Sequence, residues 1–353
     1  MASITLLSGD MGGTKTLLGL YSWDGHQLQK LHHHRYQSGE WSSMEPMLNH
    51  FLDNRPQNVN APSYSCIAVA GAVNGANAQI TNLSITLNQQ QLLEATGGDQ
   101  LELVNDFAVL IYGLEHLANH QQVVLQHGNS QKKVNGTLAI LGAGTGLGIA
   151  RGVSTSSGIM ALASEGGHQE FAPRTELEWD LAQWLKSCLD LERVSVERIV
   201  SGTGLGHVAA WRLDQHDAKD HPLRSQAQDW IHHKQRKSQA HPDLPALASQ
   251  ASKQGDLLMR EALELWLSAY GSAAGDLAIQ ELCYGGLWIG GGTASKQLRG
   301  ISSKHFLEAM RNKGRFRPFI EELPVHVLID QEAGLFSAAC RARILAESSG
   351  TLA

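Results

Sequence analysis

The chain has 353 residues, a formal net charge of −6, 42% hydrophobic and 18% charged residues. At 38.3 kDa it is long enough for about two domains with cores that need no disulfide or metal staple. The mild acidity excludes a basic nucleic-acid footprint, the composition excludes disorder over most of the length, and no apolar run reaches the roughly 18–20 residues of a membrane span. The four cysteines, Cys66, Cys188, Cys283 and Cys340, lie far apart with no Cys-x-x-Cys pair, so no zinc site or disulfide framework is signalled. With no basic, apolar leader at the start, a cytoplasmic location is expected.

In chain order, residues 4–10 are predicted as a strand, 11–15 as a turn and 16–21 as a returning strand. A helix is predicted over 42–52, a buried strand over 65–70, a helix over 89–96 stopped by Gly97-Gly98, and a strand over 101–104. A long helical stretch follows from 105 to 117. Residues 120–134 are polar and are expected to join two domains. Residues 137–141, 142–146 and 147–152 repeat the plan of the first hairpin, with an apolar run, a glycine-rich turn and an apolar run, as if two related halves each opened this way. Helices are predicted over 176–189 and 257–283, strands over 285–289 and 325–329, and a closing helix over 332–347. The His-, Gln- and Pro-rich stretch 212–252 reads as an exposed insertion with one or two helices. Alternating strands and helices indicate an α/β fold.

Of the 36 glycines, many fall in three turns that each follow a strand. In Asp10-Met11-Gly12-Gly13-Thr14-Lys15, glycines let backbone N–H groups approach an anion, Thr14 and Lys15 add a hydroxyl and a cation, and Asp10 is suited to hold Mg²⁺ through water. A tight hairpin with surface charge explains that turn equally well. Gly142-Ala143-Gly144-Thr145-Gly146 suits a phosphate or ribose but is neither a Walker A loop nor a Rossmann fingerprint. Gly290-Gly291-Gly292 is the third. Together they point to a nucleotide polyphosphate bound between two domains. The dinucleotide-like match from Gly204 to Ala209 is weak alone. Asp106, after Asn105 at a strand end, reads either as a helix N-cap or as a carboxylate that accepts a hydroxyl proton. Glu165 and His168 flank a glycine pair and suit neighbouring sugar hydroxyls, or else a metal or a surface turn. The His runs at 32–34 and 232–233 read as solvated faces.

In order along nearly the whole chain run GDMGGTK, AGAVNG and TNL, LVNDF, LGAGTGLGIA, SEGGHQEFAP, SVERIVSGTGL, WIGGG and KGRF. In these motifs the sequence resembles the bacterial-type glucokinases of the hexokinase, actin and sugar-kinase superfamily. The resemblance implies a two-domain actin-like ATPase (ribonuclease H-like) α/β fold with the ligand cleft between a small domain, 1–118 plus 330–353, and a large domain, 119–329. It implies MgATP as donor, the 6-hydroxyl of glucose as acceptor, a place in glycolysis and a homodimer. It also implies that Asp106 is the catalytic base and that Asn105, Glu165, His168 and Glu197 bind sugar, with Asn82 nearby. Asp10 would organise Mg²⁺, Gly12 to Lys15 and Gly142 to Gly146 would meet the phosphates, and Gly290 to Gly292 would lie on the adenosine side. Two other readings are a kinase of the same fold for another hexose and a non-catalytic sugar-binding regulator; retention of Asp10 and Asp106 argues against the latter. The chain departs from the family at Ser84-Ile85, where members often carry an aromatic residue. It also lacks the Cys-rich zinc motif of the repressor, open-reading-frame and sugar-kinase branch.

Overall fold

The computed structural model describes residues 3–80, 83, 85–129, 136–156, 158–233 and 242–350. They form two compact units, the first of 1–122, 150–163 and 330–353, the second of 123–149 and 164–329. The expected division kept 119–329 together. Residues 150–163 group instead with the first unit, where Gly152 lies against the side chains of Ile111 and Ile159.

The first unit is built on a five-stranded sheet of order β3-β2-β1-β4-β8, with β1 Ile4–Met11, β2 Lys15–Trp23, β3 Leu28–Gln37, β4 Tyr64–Val69 and β8 Gln100–Asn105. Nearly every residue of β1, β2 and β4 is buried, as apolar runs covered on both faces require. The strands β1, β4 and β8 are parallel, and their register aligns Met11, Val69 and Asn105 across the sheet. The residues at those carboxyl ends, Asp10 and Asp106 among them, therefore leave the sheet at one edge, the usual place for a ligand in such sheets. A small antiparallel sheet of β5 Gly71–Asn74, β6 Asn77–Ile80 and β7 Thr86–Asn88 follows β4. The helix Gln89–Thr96 starts where the Asn88 side chain accepts the N–H of Gln90 and Gln91, and it stops at Gly97 in the left-handed conformation. The closing helix Ala333–Ser348, rich in Ala, packs on β1 and β4.

The second unit is built on β9 Gln122–Gln126, β10 Leu138–Ala143, β13 Gly286–Gly290 and β14 Val325–Leu328, in the order β10-β13-β14-β9, while the strands β11 Leu147–Thr155 and β12 Gly158–Ser164 fall mostly within 150–163 of the first unit. The strands β10, β13 and β14 are parallel and pair Gly142 with Gly290. The 25-residue helix Leu257–Glu281 buries Trp266 and Tyr270 in this unit's core.

Three expectations are corrected. Residues 105–117 form two 3-10 turns, Ala108–Tyr112 and Leu114–His116, instead of a long helix; the run Ala108 to Tyr112 is buried on every side and Gly113 interrupts it. Among its described residues the 212–252 stretch has the helices expected of it but is not simply exposed. Its helices Arg224–His233 and Leu244–Lys253 bury Ala227, Trp230, Ile231, Leu244 and Ala248 in the core. Gly204 to Ala209 sit inside the helix Gly202–Asp214, fully buried, so they form no nucleotide turn. The His32 to His34 run lies on β3, where His32 stacks on Phe51 at 5.3 Å.

Candidate active site

In the first unit, the turn between β1 and β2 closes by the Gly12 N–H donating to the Lys15 carbonyl at 3.0 Å. Asp10, on the last turn of β1, lies against the first turn of the closing helix: a Cβ on Gly334 would stand 2.6 Å from Asp10 Oδ2. Burial raises the Asp10 pKa and Lys15 partly offsets this. Asp106 follows β8, with its N–H bonded to the Val69 carbonyl at 2.9 Å. No α-helix follows for Asp106 to cap, and it is the Asn105 side-chain oxygen that accepts the N–H of Phe107 and Ala108, at 3.0 Å each. The Asn105 amide donates to the Gly71 carbonyl and to Asp106 Oδ1, each at 3.2 Å. The Asp106 carboxylate is thus oriented by the Asn105 amide and by the neighbouring backbone N–H of Phe107. Its pKa is raised to about 6, first by burial and then by the negative charge of Asp10. That value suits a group asked to accept a proton near neutral pH.

In the second unit, the turn Gly144–Gly146 is closed by the Gly144 N–H donating to the Gly146 carbonyl at 2.8 Å. Gly142 and Gly290 lie in strands and bring this turn and Gly291-Gly292 side by side. Gly291 has φ 83° and a Cβ there would meet the Ala143 carbonyl at 2.6 Å, so only glycine fits. The buried Tyr270 hydroxyl ties both strand ends, accepting the Ala143 N–H at 3.1 Å and donating to the Gly290 carbonyl at 3.4 Å.

Beside these turns opens a cavity of about 780 Å³, lined by Gly144, Thr145, Thr203, Trp230, Gly292 and Lys296 among others. The helix Leu244–Lys253 supplies Asp243, its N-cap, together with Ser249, Gln250 and Lys253 to the same wall. Gln297 Nε2 donates to Ser249 Oγ across it at 2.8 Å. Apart from Gly144, Thr145 and Gly292, none of these residues was singled out in the sequence. Their signal was the apolar spacing of Ala227, Trp230 and Ile231, and of Leu244 and Ala248, which marks buried helix faces.

Glu165 and His168 stand together, with Oε2 and Nε2 3.8 Å apart and both side chains exposed. The short helix Val196–Ile199 joins this loop to the phosphate-type turn. The Val196 N–H donates to the Gln169 carbonyl at 2.8 Å, and Arg193 donates to the His168 carbonyl at 2.8 Å. Glu197 Oε2 accepts the Leu147 N–H at 2.8 Å and lies so close to Gly146 that a Cβ there would overlap it. Glu197 thus stands between the expected sugar loop and the glycine turn. Asn82 lies outside the described residues. Among the described residues no group of three or more His, Cys, Asp and Glu forms a metal cage.

The glucokinase family model matches residues 7–344. A glucokinase from Nostoc sp. is 38% identical over 345 residues, covering 96% of this chain and 99% of that protein. One from Synechocystis sp. is 34% identical over 347 residues, covering 95% and 97%. Among solved structures, a glucokinase from an Antarctic psychrotroph superposes with a TM-score of 0.80 at 27% identity, over 96% of this chain and 98% of that one. The chain belongs to the glucokinase family, enzymes of two-domain, actin-like α/β fold.

Proposed function

We propose that the protein transfers the terminal phosphoryl group of ATP to the 6-hydroxyl of glucose, with Asp106 as general base. The observation that carries this is the state of Asp106: partly buried at the end of β8, held by the Asn105 amide, and raised to about 6. Phosphoryl transfer depends on alignment and charge neutralisation more than on covalent help from the protein. Asp106 orients the sugar hydroxyl and takes its proton as the oxygen–phosphorus bond forms and the bond to departing ADP breaks. Asn105 holds that carboxylate in place, and Glu165, His168 and Glu197 bind the remaining sugar hydroxyls. An analogue that lacks a hydroxyl would leave one of these groups without its partner, which discriminates among sugars.

The donor assignment rests on the 780 Å³ cavity beside Gly144, Thr145 and Gly292. The turns at Gly12 and Gly144 would present N–H groups to the phosphates, and the cavity would take the nucleoside. Mg²⁺ fits the residues present: Asp10 and Asp106 are hard oxygen donors raised by burial, and the charge of Asp10 bears on Asp106. Asp10 would hold the ion through water, and the ion, when bound, would neutralise phosphate oxygens. A structure described as a glucokinase from Balamuthia mandrillaris in complex with glucose shares the fold, with a TM-score of 0.72. The resemblance further carries a homodimer and a cytoplasmic place in glycolysis into this proposal, the dimer being testable by sedimentation. Among the described residues no helix is long and apolar enough to cross a membrane.

The test is turnover with ATP, ADP and polyphosphate as donors against a panel of hexoses, with and without Mg²⁺. Glucose with MgATP should be preferred, and Asp106→Ala should abolish transfer while glucose binding stays measurable. Unchanged turnover in that variant defeats the assignment of the base. Comparable kcat/KM for fructose, mannose or an N-acetylhexosamine defeats the assignment of the sugar.

A further inference from the structure

We propose that Ser38 is a positioning residue for the turn Gly12–Thr14, and that its hydroxyl sets the direction in which the Gly13 N–H points. This deepens the reading of that turn as a phosphate loop and rests on it. Ser38 is 0% exposed and sits just after β3, on the single 3-10 turn Ser38–Glu40. It grips the hairpin turn at both ends. Its N–H donates to the Thr14 carbonyl at 3.0 Å, and its Oγ donates to the Gly12 carbonyl at 2.7 Å. Its Oγ also lies 2.9 Å from Thr16 Oγ1, and Thr16 is fully buried as well.

The protons can be assigned by elimination. A carbonyl only accepts, so the Ser38 hydroxyl proton goes to Gly12, and Thr16 must then donate to Ser38. The result is a directed relay from Thr16 to Ser38 to the Gly12 carbonyl. In a trans peptide the C=O and the following N–H lie in one plane and point in opposite directions. Holding the Gly12 carbonyl against Ser38 therefore turns the Gly13 N–H away from the protein interior behind the turn. That peptide is flanked by two glycines, so no side chain restricts its rotation. The hydroxyl supplies the orientation that the glycines lack. A phosphate oxygen would then meet a donor that is already aimed, avoiding the cost of ordering it on binding.

The experiment uses the full chain and two variants. In Ser38→Ala the KM for ATP should rise about tenfold, the scale set by losing a buried hydrogen bond. Glucose affinity, measured by direct binding without nucleotide, should stay within about twofold of the parent, since among the described residues the hydrogen bonds of the Ser38 hydroxyl go to Gly12 and Thr16 and to no expected sugar residue. With ¹⁵N-glycine labelling, the Gly13 amide resonance should move on adding MgADP to the parent and move far less in the variant, a response that mere loss of stability would not produce. Thr16→Val is nearly isosteric, removes only the proton donated to Ser38, and should raise the KM for ATP by roughly two- to threefold. It carries the test if Ser38→Ala does not fold. An unchanged KM for ATP in the folded variants, with the parent active on ATP, overturns the role of Ser38 alone. Equal losses for ATP and glucose also overturn it. A parent protein that does not use ATP brings down the phosphate-loop reading and this inference with it.

Discussion

Asp106→Asn separates the catalytic and structural consequences of one buried carboxylate. In the parent, the Asp106 pKa rises from 3.8 to about 6. At about 1.36 kcal/mol per pKa unit, that difference makes the ionised form roughly 3 kcal/mol less stable in the folded protein than in the unfolded chain. The sign follows from proton counts. Between pH 3.8 and about 6 the folded state holds the proton that the unfolded state has released, so folding stability falls as pH rises through that window. Asparagine keeps the shape and can still accept from the Asn105 amide, but it does not ionise. The variant should therefore match the parent below pH 4 and gain on it through pH 6. It should exceed the parent by about 3 kcal/mol at pH 8. Urea unfolding at a series of pH values reads this directly. Over the same range turnover should fall by about 10²–10⁴-fold, the usual contribution of a positioned base, and parental kcat should rise along an acid limb centred near pH 6. A stability difference that is flat from pH 4 to 8 would refute the account of Asp106 as a desolvated carboxylate. Turnover within tenfold of the parent would refute its role as base.

Gly334→Ala would place a methyl carbon 2.6 Å from Asp10 Oδ2 and 3.0 Å from its Cγ. The carboxylate must then move, and a displacement near 1 Å at a catalytic group costs on the order of 10²-fold; kinetics titrated with Mg²⁺ should show the loss together with a weaker apparent metal affinity. Gly146→Ala would drive a methyl into the Glu197 carboxylate and strip it from the Leu147 N–H. Because Glu197 stands between the glycine turn and the sugar loop, kcat/KM should fall about tenfold or more for both substrates, whereas a loss confined to one would count against the bridging role. Tyr270→Phe removes only the hydroxyl shared by the Ala143 N–H and the Gly290 carbonyl. It should destabilise the second unit by about 1–3 kcal/mol and raise the KM for ATP more than that for glucose, as denaturation and steady-state kinetics would report.

Much of the site was legible because its signals are local. Glycine turns directly after apolar runs, and the Asn-Asp pair at a strand end, follow from backbone conformation and from which side chains can serve there. The helices 89–96 and 176–189 were read within their observed limits because their caps lie in the adjacent residues: Asn88 and Gly97 for one, Thr175 and Asp190 for the other. The stretch 105–117 failed the same reading because its centre, Phe107 to Tyr112, has no polar face; an apolar run carries no helical period, and here Ala108–Tyr112 is buried as a short 3-10 turn. The stretch 212–252 failed for the opposite reason, since abundant polar residues masked the few positions, Trp230 and Leu244 among them, that enter the core.

By itself the sequence determined the family, the strand-turn plan of the two hairpins and the residue types available for phosphoryl transfer, because each depends on neighbours within a few positions. Tertiary structure alone decided that the Asn105 amide reaches the Gly71 carbonyl and that the Asp106 N–H is fixed on Val69 of the neighbouring strand. It also decided that Ser38 grips a turn 26 residues before it, that Gly334 makes room for Asp10, and that the helix Leu244–Lys253 walls a cavity beside the glycine turns. Such pairings depend on sheet register and on which helix covers which face. Those are set by burying a common core, and no local pattern of residues encodes them.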